Sequence, residues 1–214
     1  MEGAHDLGGL DGFGPVVTLD GELTHHEPWE LRAQGTALFA TRGGMRQWIE
    51  RLDPVTYLTS SYYVRWLRAA ELGAVTQGVV SAEDLERWRR HFEADPDAVP
   101  PAVVDAEVRA KIDRMMTTTT RMRPMGAPEF EVGARVVVKR WHDPEHHHRC
   151  PRYARGVAGT VERVCGEERV PGAEDHWAPT YTVAFASTDL WGAGGEQPFT
   201  VTVDLCEHYL EATS

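Results

Sequence analysis

Cysteine is scarce in this chain. Only Cys150, Cys165 and Cys206 occur, at irregular spacing and with no CxxC pair. That excludes a disulfide framework and a zinc module built on paired cysteines. Long apolar runs are also missing: none approaches the roughly 18 residues that a membrane-spanning helix needs. The opening MEGAHDLGGLDGFGPVV has no basic stretch leading into an apolar one, so no secretory signal is expected. Positive charge is the third shortage. Against 33 acidic side chains stand 22 basic ones, a net charge of −11, which argues against general affinity for nucleic acid or anionic membrane. A soluble protein of the reducing cytoplasm is the expectation.

What is present suits a globular fold. The 214 residues suffice for one large domain or two small ones, and 42% of them are hydrophobic. Residues 1–28 are rich in Gly, Asp and His and read as an extended arm. From Trp29 to about Met116 the apolar period is helical. Met45, Trp48, Ile49 and Leu52 share one face, Tyr62, Trp66 and Ala69 another, and Leu85, Trp88 and Phe92 a third. Asp53-Pro54 marks a helix boundary, Thr59, Ser60 or Ser61 offers a cap before Tyr62, and Ser81 with Asp84 resembles a capping box. The last helix is expected over about Pro101 to Met116.

The stretch TTTTRMRPMGAPEF then breaks the period, so 117–129 reads as a linker. Beyond it the alternation is of period two. ARVVVKRW, GTVERV, TYTVAFAS and FTVTVDL are strand candidates separated by turn residues. Tyr181, Val183 and Phe185 share one face, as do Phe199, Val201, Val203 and Leu205. Four or five short strands in residues 130–214 suggest a small antiparallel barrel. The fold class is α+β: arm 1–28, helical domain 29–116, linker 117–129 and β domain 130–214.

One stretch, HHHRCPRYARG at 146–156, concentrates histidine and arginine in an acidic chain. Neighbouring histidines in an extended chain point to opposite faces, and no second cluster completes a ligand set, so a functional metal site is not expected. Arg149, Arg152 and Arg155 recur every third residue, and arginine forks suit phosphate. The cluster nevertheless lacks the aromatic interleaving of nucleic-acid binders. On spacing alone, a solvated loop between strands is the favoured explanation.

Several segments together resemble the β subunit family of nitrile hydratase. HDLGG with GFGP is similar to its opening arm, and RQWIERLDPVTYLTSSYYVRWL to its central helical segment. FEVGARVVV resembles its first barrel strand, HHRCPRYARGVAGTV its most characteristic loop, and YTVAF, LWG and VDLCEHYLE the end of the barrel. The resemblance implies a C-terminal SH3-like β-barrel and an enzyme that hydrates nitriles to amides. It also implies a Co(III) or Fe(III) centre held not by this chain but by a partner α subunit, in a loop with oxidised cysteines. The assembly implied is an αβ heterodimer or α2β2 heterotetramer.

By the same resemblance, Arg46 and Arg149 hydrogen-bond the oxidised cysteine oxygens, because a permanently charged fork suits two anionic oxygens at once. Tyr62 and Trp66 would line the substrate pocket, His5 and Asp6 would dock on the α chain, and Arg152 and Arg155 would fix the loop. Read without the resemblance, Arg46 could pair with Glu50 one helical turn on, and Tyr62 and Trp66 would be core residues. Two other functions compete. An accessory protein of the same enzyme would lack the β half, and a thiocyanate hydrolase would divide the chain in two.

Overall fold

The computed structural model describes residues 3–15, 25–41, 44–100, 105–117, 127–140, 148–170, 176–194 and 197–213. The chain divides into two compact units, Pro15–Thr119 and the combination of Met1–Gly14 with Thr120–Ser214. The boundary near residue 119 falls within the expected linker, whose residues 118–126 lie outside the described ones, as do Trp141 to His147.

The first unit is helical: α1 (Pro28–Ala40), α2 (Arg46–Ile49), α3 (Pro54–Thr59), α4 (Tyr62–Thr76), α5 (Ala82–Ala94) and α6 (Ala106–Thr117). Its helix starts follow local chemistry. Pro28 opens α1, where its missing N–H costs nothing, and the Glu30 carboxylate accepts from the His26 and Glu27 backbone N–H groups. Asp53 caps α3 by accepting from Thr56 N at 3.0 Å, so Asp53-Pro54 begins a helix. Ser81 caps α5 through Asp84 N at 3.0 Å.

α1 and α2 both pack on α4. The contact is made largely of small residues: Ala37 on α1 and Ala69 and Ala70 on α4 are buried with Met45 and Trp48, and Ile49, Leu52 and Trp66 pack around them. Gly73 completes this face. A Cβ there would meet the Thr41 methyl and come within 2.9 Å of the Trp48 ring. Glycine inside a helix ordinarily costs about 1 kcal/mol relative to alanine; here it makes room for the indole that anchors α2.

The second unit is built on one five-stranded antiparallel sheet: β1 (Arg135–Val138), β2 (Ala158–Arg169), β3 (Trp177–Ala186), β4 (Thr200–Cys206) and β5 (Leu210–Ala212). The order is β4-β3-β2-β1-β5, a meander whose last strand returns beside its first. A 3₁₀ turn, Arg152–Ala154, precedes β2; helix α7 (Ser187–Trp191) follows β3; and a second 3₁₀ turn, Glu207–Tyr209, leads into β5. Tyr181, Val183 and Phe185 of β3 are buried with Val136, Val138, Val161, Leu205 and Leu210, as alternation on one sheet face dictates. At the lower edge of this core the Tyr181 hydroxyl, pushed up to about 12 by burial and by the neighbouring Glu207 carboxylate, donates to Glu207 and accepts from Phe130 N.

Three expectations are corrected. The sheet is open: all three residues of β5 are paired with β1, and no pairing between β4 and β5 closes a barrel among the described residues. Glu167 to Arg169 and Trp177 to Pro179, which read as loop, are paired strand beyond a register shift at Cys165 and Gly166, and Ala178 among them is buried in the core. Phe199 lies outside β4 and is 49% exposed, so the shared face begins at Val201.

The arm is anchored within its own chain. Asp6, expected against a partner, is buried and accepts from Arg152 N at 3.0 Å and Arg152 Nε at 3.3 Å. Gly8 lies against the Tyr153 ring and Gly9, with φ of 76°, against the Trp191 indole, so neither position has space for a Cβ.

Gly73→Ala, helpful in most helices, should destabilise the helical unit by about 1–3 kcal/mol through overpacking against Trp48. Chemical denaturation checks this, and a gain in stability would show that α2 yields freely. His208 provides a second test. Burial, with Lys139 and His176 nearby, lowers it from the ordinary 6.5 to about 4. Between those values the unfolded chain binds a proton that the folded one does not, so stability should decline as pH falls from 6.5 towards 4. His208→Asn should flatten that part of the curve relative to the parent chain; parallel curves would contradict it.

Candidate functional site

Two groups of residues carry the candidate chemistry, one in each unit. In the helical unit, the start of α2 and the first turns of α4 meet α3 and the end of α1 around a cavity of about 340 Å³. Arg46, the first residue of α2, lies on its wall together with Tyr62 and Trp66 of α4. Leu38, Met45, Ile49 and Tyr57 make the rest of the lining mostly apolar, with Glu50 and Arg65 as further charged groups. Periodicity explains the convergence. Tyr62 and Trp66 are four residues apart and stand over one another on a helix, their rings 6.0 Å apart.

The side chains are exposed unequally. Tyr62 is 60% exposed and so is not the core residue a blind reading would make it, while Tyr63 is buried and stacks on His25 at 4.8 Å. Trp66 is half-buried, and its indole N–H is enclosed without a hydrogen-bond partner among the described residues. Arg46 is exposed, and among the described residues no carboxylate forms an ion pair with it, Glu50 included. Arg65 is committed to structure: its Nε donates to Ser60 O at 3.0 Å and its guanidinium lies 4.9 Å from the centre of the Tyr57 ring. Tyr57 and Arg65 were not picked out by sequence reasoning, although both lie inside the segment that carried the resemblance.

In the β unit the candidate group is the loop from His148 to Gly156. His148 is buried with its ring edge towards Tyr209, 6.4 Å away. Arg149 is half-buried, and its backbone N–H donates to the Tyr209 hydroxyl at 2.9 Å. Burial pushes that hydroxyl well above the ordinary tyrosine range, so it stays protonated and can serve as acceptor and donor together. Cys150 is fully buried; burial raises its thiol, partly offset by Arg155, whose Nη2 donates to the Cys150 carbonyl at 3.0 Å. A buried thiol of this kind is a packing group and not a nucleophile. Arg152 is bound to Asp6. The loop therefore has three arginines in different settings: Arg152 and Arg155 brace it, and Arg149 precedes both.

Sequence reasoning missed Tyr209 and the direction of the Asp6 contact. The signal for Tyr209 was its place in VDLCEHYLE; Asp6 carried none. As for metal, no group of three His, Cys, Asp or Glu converges among the described residues. The described donor set offers guanidinium and phenol groups, which suit oxyanions and polar substrates better than a cation. The described helices include none long and apolar enough to cross a membrane.

Comparison with known proteins agrees along the whole chain. A family model described as "Nitrile hydratase beta subunit, N-terminal" matches residues 1–115, and one described as "Nitrile hydratase beta subunit, C-terminal" matches residues 119–212. The chain is 30% identical to the low-molecular weight cobalt-containing nitrile hydratase subunit beta of Rhodococcus rhodochrous, over 98% of its own length and 99% of the relative's. It is 31% identical to the cobalt-containing nitrile hydratase subunit beta of Pseudonocardia thermophila, over 99% and 96%. Against a nitrile hydratase subunit beta of Pseudomonas putida the identity is 32%, over 99% of both chains. Among solved structures, a chain of the recombinant apo-enzyme of thiocyanate hydrolase from Thiobacillus thioparus is 27% identical with a TM-score of 0.42, covering 53% of this chain and 100% of that one.

Proposed function

We propose that this chain, which belongs to the nitrile hydratase beta subunit family, is the β subunit of an enzyme that hydrates nitriles to amides at a metal centre held by an α subunit. The observation that carries this reading is the cavity shared by Arg46, Tyr62 and Trp66, in a chain matched from end to end to β subunits. An accessory protein lacking the β half does not account for the match over residues 119–212. A divided thiocyanate hydrolase does not account for an undivided chain aligned over nearly the full length of its β-subunit relatives.

In this reading the working assembly is an αβ heterodimer, paired into an α2β2 heterotetramer, in the cytoplasm. The arm also packs on the α chain, to which it offers the exposed Leu10 and Phe13. The partner's metal is Co(III) or Fe(III), and two of the relatives are named as cobalt-containing. When bound there, the metal supplies Lewis acidity towards the nitrile or water.

The part of this chain is electrostatic. Oxidised cysteine oxygens are anionic and, buried at an interface, costly unless matched by fixed positive charge. Arg46 and Arg149 supply it: each guanidinium presents paired N–H donors and cannot lose its proton at working pH. That holds the oxygens in one orientation and one protonation state, as groups around a metal site's ligands do. The apolar cavity beside Arg46 receives the carbon chain of the substrate and excludes water. Tyr62 presents a hydroxyl to the polar end of the nitrile or amide, and Trp66 forms the wall behind it.

Purified alone, this chain should show no hydratase activity and should associate through apolar surface such as Leu31, Val55 and Leu58, all more than half exposed. Turnover by the lone chain with its own cobalt or iron would overturn the reading. In the assembled complex Arg149→Lys, which keeps the charge but not the fork, should lower kcat by roughly 10–100-fold while still binding the α subunit. Steady-state kinetics with gel filtration checks both, and unchanged turnover would remove Arg149 from the site.

A further inference from the structure

We propose that Asp6 is a positioning residue for the loop that carries Arg149, so that the N-terminal arm sets the geometry of the site from within the same chain. The proposal rests on the reading of Arg149 given above and names a residue that acts through it.

The argument begins with burial. The Asp6 side chain is only 1% exposed, and a carboxylate removed from water is stable only if it is fully met by donors. Arg152 meets it: its backbone N–H and its Nε both reach Oδ2, and its Nη2 returns to the Asp6 carbonyl at 3.1 Å. Three bonds therefore join one arm residue to one loop residue. An exposed ion pair would be weak; here the carboxylate end is buried and two of the three bonds involve backbone, so the link restrains the course of the chain and not only a side chain.

The position of Arg152 gives this restraint its reach. It opens the 3₁₀ turn Arg152–Ala154, three residues after Arg149. Tyr153, next in the turn, is covered by Gly8 of the arm, and Trp191, 5.6 Å from the Tyr153 ring, is covered by Gly9. On its other side the loop is tied by Arg149 N to the Tyr209 hydroxyl and braced internally by Arg155 on the Cys150 carbonyl. Arg149 thus sits between two anchors, one at Tyr209 and one at Asp6. Removing the Asp6 carboxylate frees the Arg152 backbone N–H and Nε together and leaves only the Nη2 bond to the Asp6 carbonyl, so the course of the loop that directs the Arg149 side chain is then loosened at that end.

The test uses the αβ complex with Asp6→Asn, which keeps an oxygen acceptor but loses the charge, and Asp6→Ala, which loses both. Hydrogen–deuterium exchange of peptides spanning residues 148–156 is measured beside kcat and KM per assembled complex. Asp6→Ala should speed exchange there and lower kcat about tenfold with KM changed by less than about threefold, Asp6→Asn falling between. If Asp6→Ala does not assemble, Asp6→Asn and Arg152→Lys carry the same measurements. Exchange at the parent rate, or faster exchange with unchanged kcat, overturns the proposal while an inactive Arg149→Lys leaves the function reading intact. A fully active Arg149→Lys removes Arg149 from the site and overturns the proposal with it.

Discussion

A carboxylate shut away from water must be satisfied by the chain that buries it, and in the β unit that requirement ties the sixth residue to one 146 positions later. Much of the unit's arrangement is consistent with this bond. The glycines after Asp6 have no room for side chains, because the arm must lie flat on Tyr153 and Trp191. The turn at Arg152–Ala154 is fixed where the arm can reach it, and the loop before it runs back to Tyr209. A stretch whose composition fits a solvated loop is therefore held at both ends by buried groups.

The helical unit meets its own constraint by the opposite means. Alanines and a glycine let α1 and α2 approach α4 closely, and Trp48 fills the space that Gly73 leaves. Close approach places the first residue of α2 beside the first turns of α4, and a charged guanidinium then shares a cavity with two aromatic rings. The apolar stripe found by periodicity is the core beneath the cavity. The edge of that stripe is also cavity wall, since Met45, Ile49 and Trp66 line it beside Arg46 and Tyr62.

The helices were legible because period, caps and proline agree: Asp53-Pro54 and Ser81 mark starts that the backbone adopts. The central strands were legible because Tyr181, Val183 and Phe185 alternate and are all buried. What escaped was structure without an apolar pattern. Cys165 to Arg169 carry no alternating apolar pattern, β5 is three residues long, and α7 follows directly from a strand. At the site, spacing alone favoured a solvated loop for the arginine stretch over a phosphate patch. Resemblance singled out Arg46 and Arg149, and neither route could pair Asp6 with Arg152, since both are ordinary surface types whose contact exists only after folding.

The account turns on guanidinium groups of one chain meeting oxidised sulfur of another. A crystal structure of the complex with its α subunit tests this most directly, by the distances from the Arg46 and Arg149 guanidinium nitrogens to the oxygens of the partner's oxidised cysteines. Hydrogen-bond distances of about 2.7–2.9 Å from both arginines are predicted. Both side chains directed away from those oxygens, with the cysteines oxidised and the enzyme active, would contradict it.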